Sequence, residues 1–253
     1  MANWSDPQFG AAPKSTTTAT GIVVDAGLRA HMLSVYNYMT SGILLTGIVS
    51  LLVYNTNLVD SLLTVGVDGR IGLSPLSWVL TFATLGVVLW LSFGLNRIST
   101  TTAQFLFWAY AALVGISLSP IFLVYTGSSI ALTFFATAAT FASLSLWAYT
   151  TKRDLSGWYT FLFMGLIGLI IATALNMIFP SADGTMSLVI SAAGVLIFSG
   201  LTAYYTQTIK SLYFQVAGTP MQGKMAVFGA LQLYIAFINM FLYLLRFLGN
   251  SRD

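Results

Sequence analysis

Apolar residues in this chain come in long blocks, with none of the strict alternation of half-buried strands. Seven stretches are each long enough for a helix to cross a bilayer, which takes about 20 mostly apolar residues. They run from Met32 to Tyr54, Leu76 to Leu95, Gln104 to Tyr125, Ile130 to Tyr149, Trp158 to Phe179, Met186 to Gln207 and Ala226 to Leu248. The pattern predicts an all-α polytopic membrane protein of seven transmembrane helices. Most connections are short. The two longer ones are NTNLVDSLLTVGVDGRIGLSP and SLYFQVAGTPMQGK, the second punctuated by Gly218, Pro220 and Gly223. Residues 1–28 are polar, with Pro7 and Pro13 to break a helix, and read as a flexible cytoplasmic tail. Residues 29–250 then form one membrane domain, and residues 251–253 a short tail.

Composition narrows the function. The chain has 253 residues, of which 57% are hydrophobic and only 7% charged, with no glutamate, a balance foreign to a water-soluble domain. Cysteine is absent, which excludes disulfides, thiolate catalysis and cysteine metal sites. His31 is the single histidine and reads as an interfacial side chain. HExxH, GxGxxG and GxxxxGK[ST] are all missing, and no Ser-His pair or intramembrane aspartate pair is available. The protein is therefore expected to be neither an enzyme nor a cofactor or metal binder. A net charge of +3 without a basic cluster gives no support for nucleic-acid binding.

The basic residues report orientation, because Lys and Arg collect on the cytoplasmic side. With the amino terminus inside, Lys14, Arg29, Arg97, Lys152, Arg153, Lys210 and Lys224 are cytoplasmic, while Arg70, Arg246 and Arg252 fall outside. That split places the carboxyl terminus on the periplasmic side. Tyr54, Trp78, Tyr125, Tyr149 and Trp158 stand at span ends, where amphipathic rings settle among headgroups. Small residues recur at helix-packing spacing, at Gly42, Thr46 and Ser50, at Ala138 and Ala142, and at Gly168 and Ala172. They predict close packing within one bundle.

Ionisable groups inside a membrane mark ion pathways and proton relays. No acidic residue falls within these seven stretches, and the one basic residue inside their bounds, Arg246, stands at the outer end of the last: Asp6, Asp25, Asp60, Asp68, Asp154, Asp183 and Asp253 are assigned to tails and loops. The polar candidates that remain inside are neutral, namely Asn176, Gln232, Asn239, Tyr204, Tyr205 and Tyr234.

Five segments in order carry a resemblance. LRAHMLSVYNYMTSGI, SLSPIFLVYTG, AYTTKRDLSG, SGLTAYYTQTIKSLY and GALQLYIAFINMFLYLLRFLGN together resemble a bacterial, inner-membrane member of the Bax inhibitor-1, or transmembrane Bax-inhibitor-motif, family. The resemblance runs from about Leu28 to Asn250. It implies six helices around a hydrophobic seventh. It also implies either a pH-sensitive calcium leak or, as for some bacterial members, modulation of a membrane-anchored ATP-dependent protease. The family's pH sensor is a pair of aspartates on the sixth and seventh helices, coupled to an arginine latch.

Carried over residue by residue, that sensor is missing. AYYTQ puts Tyr205 where the family pattern AxDTQ has its aspartate, and LYIAFIN puts Ala236 where LYLDFIN has the second. SFGLN puts Gly94 at the latch position of SFRIN, with Arg97 one turn away. Losing both acids leaves no orphan buried charge, whereas losing one would. Tyr205 is expected either to fill the vacated space, its hydroxyl bonded to a neighbour such as Asn239 or to a backbone carbonyl, or simply to pack as a tyrosine near the inner interface. Two functions remain open: a scaffold, accessory subunit or regulator of a membrane-protein assembly, or a cation leak gated without the aspartates.

Overall fold

The computed structural model describes residues 16–65, 71–95, 97–179 and 184–250. Lys14, Asp6, Asp68, Arg70, Asn96, Asp183, Arg252 and Asp253 lie outside them, as do the first fifteen residues of the expected tail and the last three of the chain. Eight α-helices follow in order among the described residues: α1 (Thr16–Asn55), α2 (Pro75–Gly94), α3 (Thr100–Leu118), α4 (Ile121–Val124), α5 (Gly127–Thr150), α6 (Trp158–Ile178), α7 (Thr185–Val216) and α8 (Met221–Leu248). Seven helical segments are long and apolar enough to span a bilayer, α3 and α4 counting as one.

Four expected boundaries move. The first helix begins at Thr16, upstream of Met32, and takes in residues assigned to the tail, Asp25 among them. The third expected span breaks at Ser119 and Pro120, because proline has no N–H to continue the ladder; the buried Ser119 hydroxyl donates to the Ile116 carbonyl at 2.8 Å. SLYFQVAGTPMQGK is mostly helix: α7 runs on to Val216 and α8 starts at Met221. The turn between them is tight, with Gly218 at φ +75, a left-handed backbone that glycine adopts without penalty. The connection from α1 to α2 also holds a 3-10 turn (Leu58–Leu62) and a small antiparallel ribbon, β1 (Leu63–Val65) with β2 (Ile71–Leu73), in register Leu63↔Leu73, Thr64↔Gly72 and Val65↔Ile71. Ser77 fastens it to α2, its hydroxyl donating to the Leu62 carbonyl at 2.5 Å.

The core is α8. In its most apolar stretch 67% of residues are buried, against 11% in α2 and in α6, which places α8 inside and those two at the periphery. Helices α1, α3, α5 and α7 pack directly on α8, while α2 leans on α3 and α6 on α7. Tyr234 is the largest fully buried side chain, with Phe107 at 5.9 Å and Tyr110 at 5.6 Å in edge-on contact, the preferred arrangement of aromatic quadrupoles. The line Gly42, Thr46 and Ser50 behaves as its spacing predicts. A Cβ on Gly42 would stand 2.7 Å from the Phe107 ring, and Gly115 of α3 brings its backbone against the Thr46 carbonyl. Gly168 differs, since nothing lies within 4 Å of where its Cβ would be.

Candidate functional site

Helices α7 and α8 carry the two positions where the resemblance places aspartates, and their register follows from three contacts. Gly229 receives Ile209, the Ser199 hydroxyl points at the Met240 sulfur at 4.0 Å, and Gly194 receives the Tyr243 ring. These pairs fix an antiparallel crossing and identify the facing stripes. On α7 that stripe passes through Phe198, Thr202, Tyr205 and Ile209; on α8 it passes through Gly229, Ala236, Met240 and Tyr243. Tyr205 and Ala236 therefore lie on facing surfaces, with Ala236 level with Thr202, about one turn along α7 from Tyr205. Ala236 is fully buried and Tyr205 packs on the same core.

The expected partner of Tyr205 is engaged elsewhere. Asn239 donates its side-chain amide to the Ile235 carbonyl of its own helix at 2.9 Å, and no hydrogen bond joins it to Tyr205 among the described residues. The Tyr205 ring packs instead in an aromatic row, 5.8 Å from Tyr204, which lies 5.3 Å from Tyr159 of α6. The candidate latch residues do not reach this site. Gly94 ends α2 against Trp90, and Arg97 is exposed beyond it, its backbone N–H on the Gly94 carbonyl at 2.8 Å.

The residues after Tyr205 make the connections. Thr206 is buried and donates to the Thr202 carbonyl at 2.8 Å, so its oxygen is left to accept from Ser145 at 2.9 Å; Ser145 in turn accepts from the Tyr36 hydroxyl at 2.5 Å. This one-directional chain of hydroxyls ties α1 to α5 to α7. Gln207 holds the α5–α6 turn: its oxygen accepts from the Leu155 N–H at 2.7 Å and its nitrogen donates to the Arg153 carbonyl at 2.7 Å. One turn on, the Lys210 ammonium donates to the Tyr149 carbonyl at 2.8 Å. In the same turn Asp154 accepts from the Ser156 N–H and hydroxyl, which hold its carboxyl below the usual carboxylate range. Sequence reasoning singled out Tyr205 and passed over Thr206 and Gln207. The signal for them was a polar pair one residue past an apolar stripe, at the mouth of a loop.

The other polar candidates differ in how they are held. Tyr234 donates to Thr46 at 2.5 Å, and Thr46 donates to the Ala111 carbonyl at 2.9 Å, joining α8, α1 and α3. The side-chain oxygens of Asn176, Gln232 and Ser50 are buried without a hydrogen-bond partner. His31 is buried, its ring 5.3 Å from that of Tyr213 on α7.

Residues 28–253 match the family model described as inhibitor of apoptosis-promoting Bax1. The chain belongs to the Bax inhibitor-1 family. Within reach of this family it is 43% identical to an uncharacterised protein of Rickettsia prowazekii, over 94% of this chain and 97% of the relative. It is 42% identical to the inner membrane protein YbhL of Escherichia coli K12, over 90% of this chain and 94% of that protein. An uncharacterised protein of Caulobacter vibrioides is 44% identical, over 91% and 92% of the two chains. The Bax inhibitor-1 match begins at Leu28, a buried residue of α1, and takes in every helix that packs on α8.

Proposed function

We propose that this protein is a non-enzymatic scaffold or regulatory subunit of a membrane-protein assembly in the bacterial inner membrane, with its amino terminus cytoplasmic and its carboxyl terminus periplasmic. A membrane-anchored ATP-dependent protease is a partner class that family membership suggests. The observation that carries the reading is the chemistry of the facing α7 and α8 stripes, where a tyrosine and a fully buried alanine occupy the two acid positions. A calcium ion takes six to eight oxygens, carboxylates prominent among them. The threonine hydroxyls nearest these positions are engaged, Thr202 donating to the Phe198 carbonyl and Thr206 to the Thr202 carbonyl while it accepts from Ser145 of α5. The inner-membrane assignment draws on the likeness to YbhL. The orientation draws on Arg29, Arg97, Lys152, Arg153, Lys210 and Lys224, which an up-and-down bundle collects at one end, opposite Arg246.

Reconstitution into vesicles loaded with a calcium dye tests the proposal. The native chain is expected to give no pH-dependent flux above that of empty vesicles, and the double variant Tyr205→Asp, Ala236→Asp to gain it. Flux through the native chain would sink the scaffold reading in favour of a leak gated by neutral groups. On the partner side, the tagged native chain purified from its own membranes should bring a stoichiometric membrane protein with it; recovery of the chain alone would count against the proposal.

A further inference from the structure

Helices α1 and α5 both pack on α8, yet a fissure separates them. Its half nearer Arg29 is a cavity of about 460 Å³, within the range of small-ligand sites. Met32 and Phe141 form its buried floor, and Leu33 and Leu146 its exposed rim. Among the described residues, the only charged side chain lining it is that of Arg29, at one end. The hydroxyls of Tyr36 and Ser145 also line it, two turns further along α1 from Arg29.

Three features together select an occupant. The cavity runs along α1 from Arg29 to Thr40, roughly 16 Å at the helical rise, which matches one leaflet of about 15 Å of hydrocarbon and not a whole bilayer. The rim residues are more than half exposed, so the fissure opens sideways to where acyl chains lie. Its charge is complementary to a phosphate, with the guanidinium at the headgroup end, a fork suited to bidentate phosphate contact, and no acidic residue among the described residues of the lining. The Lys210 ammonium, bonded to the carbonyl of the lining residue Tyr149, adds a second positive charge near that end.

We propose that the α1–α5 fissure is a binding site for one anionic phospholipid of the leaflet at the Arg29 end, with its phosphate on Arg29 and an acyl chain along Met32 and Phe141 to Thr40. The site stands independently of the scaffold reading, since it rests on neither Tyr205 nor Ala236.

Native mass spectrometry of the full chain, delipidated in detergent and titrated with phosphatidylglycerol or phosphatidylcholine, tests it. The native chain should retain one phosphatidylglycerol with a preference of about fivefold over phosphatidylcholine, the selectivity expected of one basic residue at a membrane surface. Arg29→Gln should bring that ratio close to one. Lys224→Gln, at the same end of the bundle but outside the cavity, should leave it unchanged. Ala142→Phe, at an exposed lining position, should abolish retention of both lipids while the lipid-free melting temperature stays near native; Leu146→Trp on the rim is the second filling variant should the first fail to fold. Equal binding of the two lipids by the native chain would overturn the proposal. So would a preference that survives Arg29→Gln or falls equally with Lys224→Gln, or lipid retention in the folded filling variants. A chain that retains neither lipid and dimerises through α1 and α5 would assign the fissure to a second copy and overturn it too.

Discussion

Thr46 and Tyr234 share one acceptor problem. Thr46 commits its proton to the Ala111 carbonyl, so Tyr234 has Thr46 as its acceptor. The two substitutions are therefore unequal. Tyr234→Phe removes a donor and leaves the Thr46 bond to α3 in place, at a cost of about 0.5–1 kcal/mol. Thr46→Val strands a fully buried phenol and should cost about 1–3 kcal/mol. Reversible unfolding in mixed detergent micelles measures both, and the order of the two costs is the expectation to check. The same accounting explains what was legible at this scale. Tyr234 could be singled out as a polar side chain inside a span, but its partner could not, because Thr46 lies 188 positions away on another helix. Asn239 was legible as polar and misassigned as a partner, since an amide four residues past a carbonyl on its own helix has a bond within reach that a hydropathy pattern does not display.

At the scale of elements, the α5–α6 turn is held by a side chain from a third helix. Gln207 bonds both the Leu155 N–H and the Arg153 carbonyl, so Gln207→Leu should release residues 151–157. Hydrogen exchange there should rise markedly, while the buried amides of α8 keep their protection. Asp154 reinforces the same turn in a pH-dependent way. Its carboxyl is held low by Ser156, so its contribution is present above the ordinary carboxylate value of about 3.9 and is lost as pH falls through its depressed folded value. The protection factor of the Ser156 amide should fall over that acid window and stay flat near neutrality. Between α7 and α8, Gly218→Ala forces a Cβ into a left-handed backbone and should lower stability by about 1–2 kcal/mol in the same unfolding assay. The helices themselves were readable from the apolar blocks. Their ends were not, because Lys210 and Lys224 look like loop residues in composition, yet both belong to helices, Lys210 to the last two turns of α7 and Lys224 to the first turn of α8, that continue past the apolar blocks.

For the whole molecule, the arrangement around α8 was implied by family resemblance, and the burial contrast between α8 and the outer α2 and α6 now gives it a physical basis. A spanning helix in lipid has no need to hide apolar surface, so apolarity alone could not distinguish the central helix from the peripheral ones. The small and polar residues of α8, Gly229, Ala230, Ala236 and Tyr234, mark the close contacts that do. Orientation is testable at this scale without background, since the chain has no cysteine. A single Lys152→Cys variant in intact spheroplasts is expected to resist a membrane-impermeant maleimide and to label only after permeabilisation. Arg246→Cys should label from outside. The reverse pattern would invert the topology.

The central place of α8 also sets an order of assembly. Ribosomes deliver the chain from its amino end, so α1 to α7 enter the membrane before the helix they are built around has been translated. Until then the surfaces that will receive Tyr234, Phe237 and Met240 have only lipid or one another to meet, and the hydroxyl of Thr46 lacks its phenolic donor. The tight turn at Gly218 couples the last two helices, so the arrival of α8 alongside α7 is the event that closes the bundle. A translation pause before α8, or a truncation within it, should thus leave an inserted but uncored intermediate, the species a membrane quality-control protease would meet first.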